Sequence, residues 1–325
     1  MTGRHDPNGG ADIRRVPGWH ASPAQLMEAR EILTRTAAHL GEAGIAAPQL
    51  DARLLLAIAL GRDTAVLPHE ILLHWNDDLA ADLARLVGRR AAGEPVSRIR
   101  GWREFWSLRF LLSADTLDPR PDSETLVAAA VNEGRKMAAP RLLDLGTGSG
   151  CLLLACLSEL PQATGTGIDI SDGAVATASQ NATCLGLACR ARFERARFDD
   201  DLTAYGGFDL VICNPPYIPS GEIATLSAEV ASFDPVRALD GGDDGLLAWR
   251  QVLPAIARRL AAGGQAFVEI GAGQQAAVTA IARECGLTLS QTHADLAGIV
   301  RCLELVVAPD PGQMAANFGF DYISP

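Results

Sequence analysis

Apolar positions follow a helical repeat in the first third of the chain. Five of them recur at the spacing that places side chains on one face of a helix: Leu26, Ala29, Ile32, Leu33 and Ala37. Ser22-Pro23 supplies an N-cap and a first-turn proline, so we predict that this helix begins there. Similar patterns predict helices over about 48–60 and 79–93. We therefore expect a small helical domain over 21–95, preceded by a disordered extension over 1–20.

The pattern changes beyond Pro121, where short apolar runs alternate with helical segments. Strands are predicted at 141–145, 163–169, 189–193, 208–214, 265–270, 287–292 and 299–307. This alternation predicts an α/β fold: a doubly wound, mostly parallel, seven-stranded sheet with helices on both faces. Apolar and polar residues alternate over 96–118, which predicts a β-hairpin linker. The α/β domain is expected over 119–308, followed by a Pro/Gly-rich tail over 309–325.

Composition narrows the classes of function. The chain of 325 residues has a net charge of −11, which argues against a nucleic-acid partner but leaves a basic protein partner possible. No apolar run reaches the roughly 20 residues needed to span a membrane. The seven cysteines are odd in number and form no Cys-x-x-Cys pair, which favours a reducing cytoplasm. The six histidines are scattered, so no metal site is expected.

Asn214-Pro215-Pro216-Tyr217 is the most informative motif. It follows the apolar run 208–213, and two prolines end a strand rigidly because they lack backbone N–H groups. The Asn214 side chain and the Pro215 carbonyl could accept the hydrogens of a planar NH2 group, while Tyr217 packs against its plane. A plain strand-ending turn is the alternative interpretation.

A glycine-rich loop lies upstream, between the apolar run 141–143 and the helical run 151–160. It reads Asp144-Leu145-Gly146-Thr147-Gly148-Ser149-Gly150. Glycines at a strand-to-helix turn let a nucleotide approach the backbone closely. Asp169 lies about 20 residues further on, where an acidic residue meets ribose hydroxyls in βαβ sites. The Gly-x-Gly-x-Gly spacing differs from the dinucleotide motif, and Asp144 either meets a cationic group of the ligand or caps the loop.

These motifs resemble the class I S-adenosylmethionine-dependent methyltransferases, and within them the release-factor glutamine methyltransferases known as HemK or PrmC. The resemblance extends over nearly all of the chain after about Ala21. Three further segments strengthen it: Gly101 to Leu108, Pro119-Arg120-Pro121-Asp122-Ser123-Glu124, and Phe233 to Leu239. A related family that methylates a ribosomal protein usually has Pro-Arg-Ser-Pro where this chain has Pro-Arg-Pro.

The resemblance implies a monomeric enzyme that methylates the glutamine amide nitrogen (N5) in the Gly-Gly-Gln motif of class 1 peptide chain release factors. S-adenosylmethionine would be the methyl donor, S-adenosylhomocysteine the product, and the helical domain would hold the protein substrate. The implied substrate-binding residues are Asn214, Pro215, Pro216 and Tyr217. The implied cofactor-binding residues are Asp144, Gly146, Thr147, Gly148, Ser149, Gly150, Asp169, Arg197 and Asn214.

The adenine-binding position departs from the family pattern. Ala196 stands where relatives often place an acidic residue, and Arg197 stands where an aromatic residue often follows. We expect Arg197 to stack on the adenine ring, with Phe198 as the alternative.

Three other functions fit parts of the sequence. They are methylation of a ribosomal protein glutamine, methylation of adenine N6 in DNA, and a noncatalytic protein-binding module that retains the cofactor pocket. A DNA enzyme would flip its base and usually carries a basic groove, which the acidic balance does not favour.

Overall fold

The computed structural model describes residues 25–69, 71–201 and 203–308. The helices are α1 (Ala29–Glu42), α2 (Pro48–Ala59), α3 (Asp77–Ala91), α4 (Val96–Arg100), α5 (Glu124–Gly134), α6 (Cys151–Glu159), α7 (Asp172–Cys184), α8 (Ala228–Phe233), α9 (Trp249–Arg259) and α10 (Gln275–Glu284). The strands are β1 (Gln25–Glu28), β2 (Ile71–Trp75), β3 (Trp102–Phe105), β4 (Leu108–Leu111), β5 (Arg141–Leu145), β6 (Thr164–Asp169), β7 (Ala191–Arg195), β8 (Phe208–Cys213), β9 (Leu260–Glu269), β10 (Leu287–Ala294) and β11 (Val300–Val307).

The chain divides into two compact units. One contains the described residues up to Gly101 together with α8, and the other contains Trp102–Ser227 and the described residues from Asp234 onward. The predicted extension over 1–20, the tail over 309–325 and the Ser22-Pro23 cap lie outside the described residues. Within those residues, no helix is long and apolar enough to cross a membrane.

The first unit is mainly helical. Its core is formed by buried side chains such as Leu40, Leu55, Leu83 and Val87. The first helix starts at Ala29, so the predicted start near Ser22 is wrong. Residues 25–28 instead form β1, which pairs antiparallel with β2. Neither strand was predicted, because periodicity cannot identify an apolar run this short and the pairing joins distant segments.

Arg90, near the end of α3, is a buried cation in this unit. It is 5% exposed, and its Nε donates to Asp51 Oδ2 at 2.7 Å. Its Nη2 donates to Glu229 on α8. A buried guanidinium needs such partners, because an unpaired charge is costly to remove from water.

The second unit contains the predicted seven-stranded sheet, in the order β10-β11-β9-β8-β5-β6-β7. Strands β9, β8, β5, β6 and β7 are parallel, and β11 runs antiparallel to both β9 and β10. The α/β fold is thereby confirmed, with β9 beginning at Leu260 rather than at residue 265. The chain reverses its winding between β5 and β8, where open α/β sheets bind their ligands.

Alternating side chains of the central strands supply two cores. Leu142 and Leu210 lie in one buried cluster with helix α6, whereas Leu143 and Val211 lie in the other with α9. Both faces of the sheet are therefore covered, as the continuous apolar runs require.

A two-residue turn, Trp106-Ser107, joins β3 to β4 within the stretch predicted to form a hairpin. Both residues have positive φ, 52° and 55°, as type I′ turns require, although neither is glycine. Trp106 is held by two carboxylates: its backbone N–H donates to Glu124 at 2.9 Å and its indole N–H to Glu159 at 3.1 Å. These tertiary bonds offset the local preference against this conformation.

Candidate active site

The glycine-rich loop joins β5 to α6 at the carboxyl edge of the sheet. Gly146, Gly148 and Gly150 have φ of 76°, 55° and 79°, a region that side chains with a Cβ rarely adopt. The backbone N–H groups of Gly146 and Thr147 both donate to the Ile168 carbonyl at 2.9 Å. The loop is therefore anchored on the neighbouring strand, β6.

Asp144 lies buried beneath this loop. Its Oδ2 accepts a hydrogen bond from the Thr147 hydroxyl at 2.7 Å, the loop-capping contact that the sequence left as one of two possibilities. Its Oδ1 is buried and has no hydrogen-bond partner among the described residues. Burial raises the pKa of Asp144 to about 7, and the Thr147 hydrogen bond opposes the rise.

Asp169 ends β6 beside the loop. Its two carboxylate oxygens accept from the backbone N–H groups of Gly148 and Ser171, each at 2.9 Å. Burial raises its pKa, and these hydrogen bonds oppose the rise. Each carboxylate oxygen has more than one lone pair, so the side chain can still accept from ligand hydroxyls.

One pocket in this unit brings together most of the predicted site residues. Those on its wall are Gly146, Thr147, Gly148, Ser149, Asp169, Arg197, Asn214, Pro215 and Pro216. Asp144, Gly150 and Tyr217 are not on the wall: Asp144 lies under the loop, and Tyr217 turns towards a buried carboxyl. A Cβ on Gly148 would meet no protein atom within 4 Å, so the loop leaves open space for a ligand.

Residues 196–198 form another part of the wall. Arg197 donates through Nε to Asp199 at 3.0 Å, and both side chains are more than half exposed. A Cβ on Gly146 would lie 3.4 Å from the Phe198 ring, so Phe198 packs beside the glycine loop. Both candidates for stacking on adenine are at the site, and the role of Arg197 stays a prediction.

Asn214 follows directly after β8. Its side-chain Nδ2 donates to the Ser123 hydroxyl at 3.2 Å. In the described part of the chain, its carbonyl Oδ1 takes part in no hydrogen bond, so this oxygen can accept an N–H from a ligand. Tyr217 donates through its hydroxyl to Glu269 Oε1 at 3.3 Å, and its backbone carbonyl accepts from Gln274 at 3.0 Å.

Two segments that supported the family resemblance are joined by an ion pair. Arg120 of Pro-Arg-Pro donates to Asp234 of Phe-Asp-Pro, and the backbone N–H of Asp118 donates to the same carboxylate at 3.2 Å. Asp118 itself is buried and pairs with Arg103 at 3.6 Å, which accounts for an acidic residue before Pro119.

Sequence reasoning missed three buried polar residues around this site: Ser123, Asn181 and Glu269. Asn181 lies within α7, and its amide joins the glycine loop to β4. Glu269 ends β9 and is 2% exposed, and burial raises its pKa to about 7. A glutamate inside the apolar run Ala266 to Ile270 was the available signal.

A glycine loop at the switch point of this sheet, beside a strand that ends in Asn-Pro-Pro-Tyr, defines a class I methyltransferase. Two family descriptions match the chain: "Methyltransferase domain" over residues 137–286 and "PrmC N-terminal domain" over residues 31–101. A protein named release factor glutamine methyltransferase from Bradyrhizobium diazoefficiens is 46% identical over 271 residues, which cover 82% of this chain and 91% of the relative. The chain belongs to the family of release factor glutamine methyltransferases.

A second curated relative bears the same name. The Rhodospirillum rubrum protein of the same name is 47% identical over 283 residues, covering 84% of this chain and 83% of that protein. Among solved structures, a ribosomal protein L11 methylase from Lactobacillus delbrueckii subsp. bulgaricus has a TM-score of 0.44 and 19% identity. The match covers 61% of this chain and 84% of the methylase chain.

Proposed function

We propose that this enzyme methylates the side-chain amide nitrogen, N5, of the glutamine in the Gly-Gly-Gln motif of class 1 peptide chain release factors. The observation that carries the proposal is the Asn214 carbonyl oxygen, which is free to accept a hydrogen bond on the same pocket wall as the glycine loop. Membership of the family supports the choice of substrate.

The Asn214 side chain and the Pro215 carbonyl are proposed to accept the two hydrogens of the substrate amide. An amide nitrogen is a poor nucleophile because its lone pair is delocalised into the carbonyl. Two acceptors at its hydrogens orient the nitrogen and raise its electron density. Fixing the reacting atoms in this way can supply about 7–11 kcal/mol in favourable cases.

S-adenosylmethionine, when bound, supplies a methyl group already activated by its sulfonium sulfur. The backbone of residues 146–150 would contact the cofactor. Asp169 would accept hydrogen bonds from its ribose hydroxyls, and Arg197 or Phe198 would stack on its adenine ring. As the N–C bond forms, the C–S bond breaks and its electron pair stays on sulfur. The nitrogen then loses one proton to water, leaving a neutral methylated amide and S-adenosylhomocysteine.

We further propose that the enzyme works as a monomer in the cytoplasm, without nucleic acid and without a metal. The transfer itself needs no Lewis acid because the sulfonium already activates the methyl group. Within the residues that the structure describes, no group of three or more His, Cys, Asp or Glu side chains is placed to hold a metal ion.

The test is to incubate the enzyme with labelled S-adenosylmethionine and a purified class 1 release factor, then locate the label by mass spectrometry. A release factor whose Gly-Gly-Gln glutamine is replaced by glutamate is the matched control. Label on that glutamine, absent from the control and lost in Asn214→Ala, is the expected result.

Parallel reactions contain ribosomal protein or unmethylated DNA. Label only on a ribosomal protein glutamine, or only on adenine, would overturn the proposed substrate. Binding of S-adenosylhomocysteine without label on any of the three would contradict it in favour of a noncatalytic module or another substrate.

A further inference from the structure

Glu269 is a buried carboxyl that lies behind the Asn-Pro-Pro-Tyr motif. The parallel register pairs Cys213 with Val268, so Glu269 at the end of β9 lies beside Asn214, the residue that directly follows β8. On its other side Glu269 pairs with Cys302 of β11. A strand-end glutamate would reach water at a sheet edge, but here strands on both sides leave it 2% exposed.

We call Asn214, Pro215, Pro216 and Tyr217 the substrate socket. Two hydroxyls lie next to the Glu269 carboxyl: that of Tyr217, which belongs to the socket, and that of Ser123, which contacts Asn214. The Tyr217 hydroxyl donates to Glu269 Oε1 at 3.3 Å. The Ser123 hydroxyl lies close enough to oppose the rise in the pKa of Glu269, and its oxygen accepts from Asn214 Nδ2 at 3.2 Å. Among the described residues, Glu269 Oε2 is buried without a hydrogen-bond partner. Glu269 is thus hydrogen-bonded to Tyr217 and lies beside Ser123, which holds Asn214.

An ionised carboxylate can only accept hydrogen bonds, and this fixes the direction of the bonds around it. The buried, unpartnered Glu269 Oε2 can take the single hydrogen of the Ser123 hydroxyl, whose lone pairs then face Asn214. Asn214 must then present its NH2 group to Ser123 and its carbonyl oxygen to the pocket. If Glu269 were protonated, it could donate to Ser123, and Ser123 could donate to Asn214 Oδ1. The amide would then offer the pocket an NH2 group, which cannot accept from a substrate amide.

We propose that Glu269 is a positioning residue that, through Ser123, sets the orientation of the Asn214 amide and so makes the socket selective for a hydrogen-bond donor. The proposal deepens the proposed function and rests on it for the identity of the substrate. It needs no contact between Glu269 and the substrate.

Several ionisable groups surround Glu269. Burial raises its pKa to about 7, nearby Asp122 adds to the rise, and Arg301 opposes it. Arg301 is itself paired with Asp122 and with Asp295, each at 3.0 Å. Burial also raises the pKa values of Tyr217, Cys213 and Cys302, so these groups stay neutral near pH 7. Asp144 on β5 is the other carboxyl here whose pKa is about 7, so its variant must be tested in parallel.

The activity test measures kcat for the release factor at saturating cofactor between about pH 6 and 8.5. Because the ionised carboxylate is the active form, wild-type kcat should rise as pH passes about 7 and then level off. Glu269→Gln should lower the plateau about 100-fold, the order expected for a misplaced reacting group, and should abolish this rise. Ser123→Ala should do the same, and the double variant should lose no more than either single one, because both break one linkage.

Two controls separate this role from general damage. Affinity for S-adenosylhomocysteine, measured by calorimetry, should stay within about twofold in Glu269→Gln. Glu304→Gln removes another buried carboxyl, on β11 and paired with His293, and should leave the pH profile unchanged. Asp144→Asn should keep the rise that Glu269→Gln loses.

A second readout is independent of turnover. The side-chain amide signal of Asn214, assigned by its loss in Asn214→Ala, is followed by NMR with selectively ¹⁵N-labelled asparagine. It should titrate near pH 7 in the wild type and not in Glu269→Gln. A signal that does not titrate, or a Glu269→Gln enzyme that keeps the wild-type rise in kcat, would overturn the proposal. If the wild type labels no release factor but Asn214 titrates, the proposed substrate fails while the positioning role stands.

Discussion

The side-chain amide of Asn181 donates to the backbone carbonyl of Ser149 at 2.8 Å, which ties the C-terminal half of α7 to the glycine loop. The same side chain bonds the backbone of Leu111 in both directions, at 2.8 Å and 3.1 Å. Its single amide thus satisfies three backbone groups and holds the loop in place from a helix that follows the next strand.

Asn181→Ala should lower the free energy of unfolding by about 2–4 kcal/mol, because it leaves buried backbone groups without partners. It should also weaken binding of S-adenosylhomocysteine, since the loop loses an anchor. Urea denaturation and calorimetry measure the two effects. Gln180→Ala, at an exposed position on the same helix, is the control and should change neither. Unchanged ligand affinity in Asn181→Ala would show that the loop holds its shape without this bond.

Asp144 should make the ligand-free protein less stable as pH rises. Its pKa is raised from 3.8 to about 7 in the folded state, so the folded state binds more protons than the unfolded state between these values. The stabilisation is full below about pH 4 and is lost as pH rises through about 7. At roughly 1.4 kcal/mol per pH unit, the contribution falls by about 3 kcal/mol between pH 5 and pH 8.

Denaturation of Asp144→Asn at both pH values tests this sign. Glu269 contributes in the same direction, so the quantity to compare is the difference between wild type and variant. That difference should favour the wild type more at pH 5 than at pH 8. Asp243→Asn, at an exposed position in the same unit, is the control. A difference that does not depend on pH would mean that Asp144 titrates equally in both states.

Gly148→Ala should separate ligand binding from folding. The new methyl group would meet no protein atom within 4 Å, so only the positive φ costs stability, about 1 kcal/mol. Gly186→Ala is a matched control because Gly186 also has positive φ, 71°, and open space around it. Both variants should lose similar stability, but only Gly148→Ala should lose affinity for S-adenosylhomocysteine, by about tenfold or more. Equal affinities would place the ligand away from this part of the loop.

Asn214→Ala should damage turnover and spare cofactor binding. Removing one preorganised hydrogen-bonding group from a reacting centre typically costs about 100-fold or more in kcat. Affinity for S-adenosylhomocysteine should stay within about twofold, because the glycine loop and Asp169 are unchanged. Steady-state kinetics and calorimetry supply the two values, with the exposed Asn132→Ala on α5 as control. A large loss of affinity with normal kcat at saturation would contradict the assigned role.

The sequence indicated those parts of the site that depend on local chemistry. Pro215 and Pro216 mark the end of β8 wherever that strand lies, and the glycines mark a strand-to-helix turn. Because parallel strands end at one edge of a sheet, these two segments could be expected to meet.

Residues whose role depends on distant partners escaped prediction. Glu269 is buried because β11, a later strand, covers its outer side, and Asn181 matters because β4 and the glycine loop meet at its side chain. The pairing of β1 with β2 likewise joins segments more than 40 residues apart, and neither segment alone predicts this pairing. Such contacts follow from the assembled fold and have no signature in a short window.

The first unit is discontinuous in sequence, and this limits how the gene could be divided. Its last piece, α8, is encoded between two segments of the second unit. A gene fragment that stops at Gly101 would therefore encode Arg90 and Asp51 but leave Glu229 on the other fragment. Shuffling the helical domain between relatives as a single cassette would separate the two halves of this ion-pair network, so a working exchange would have to move residues 228–233 with it.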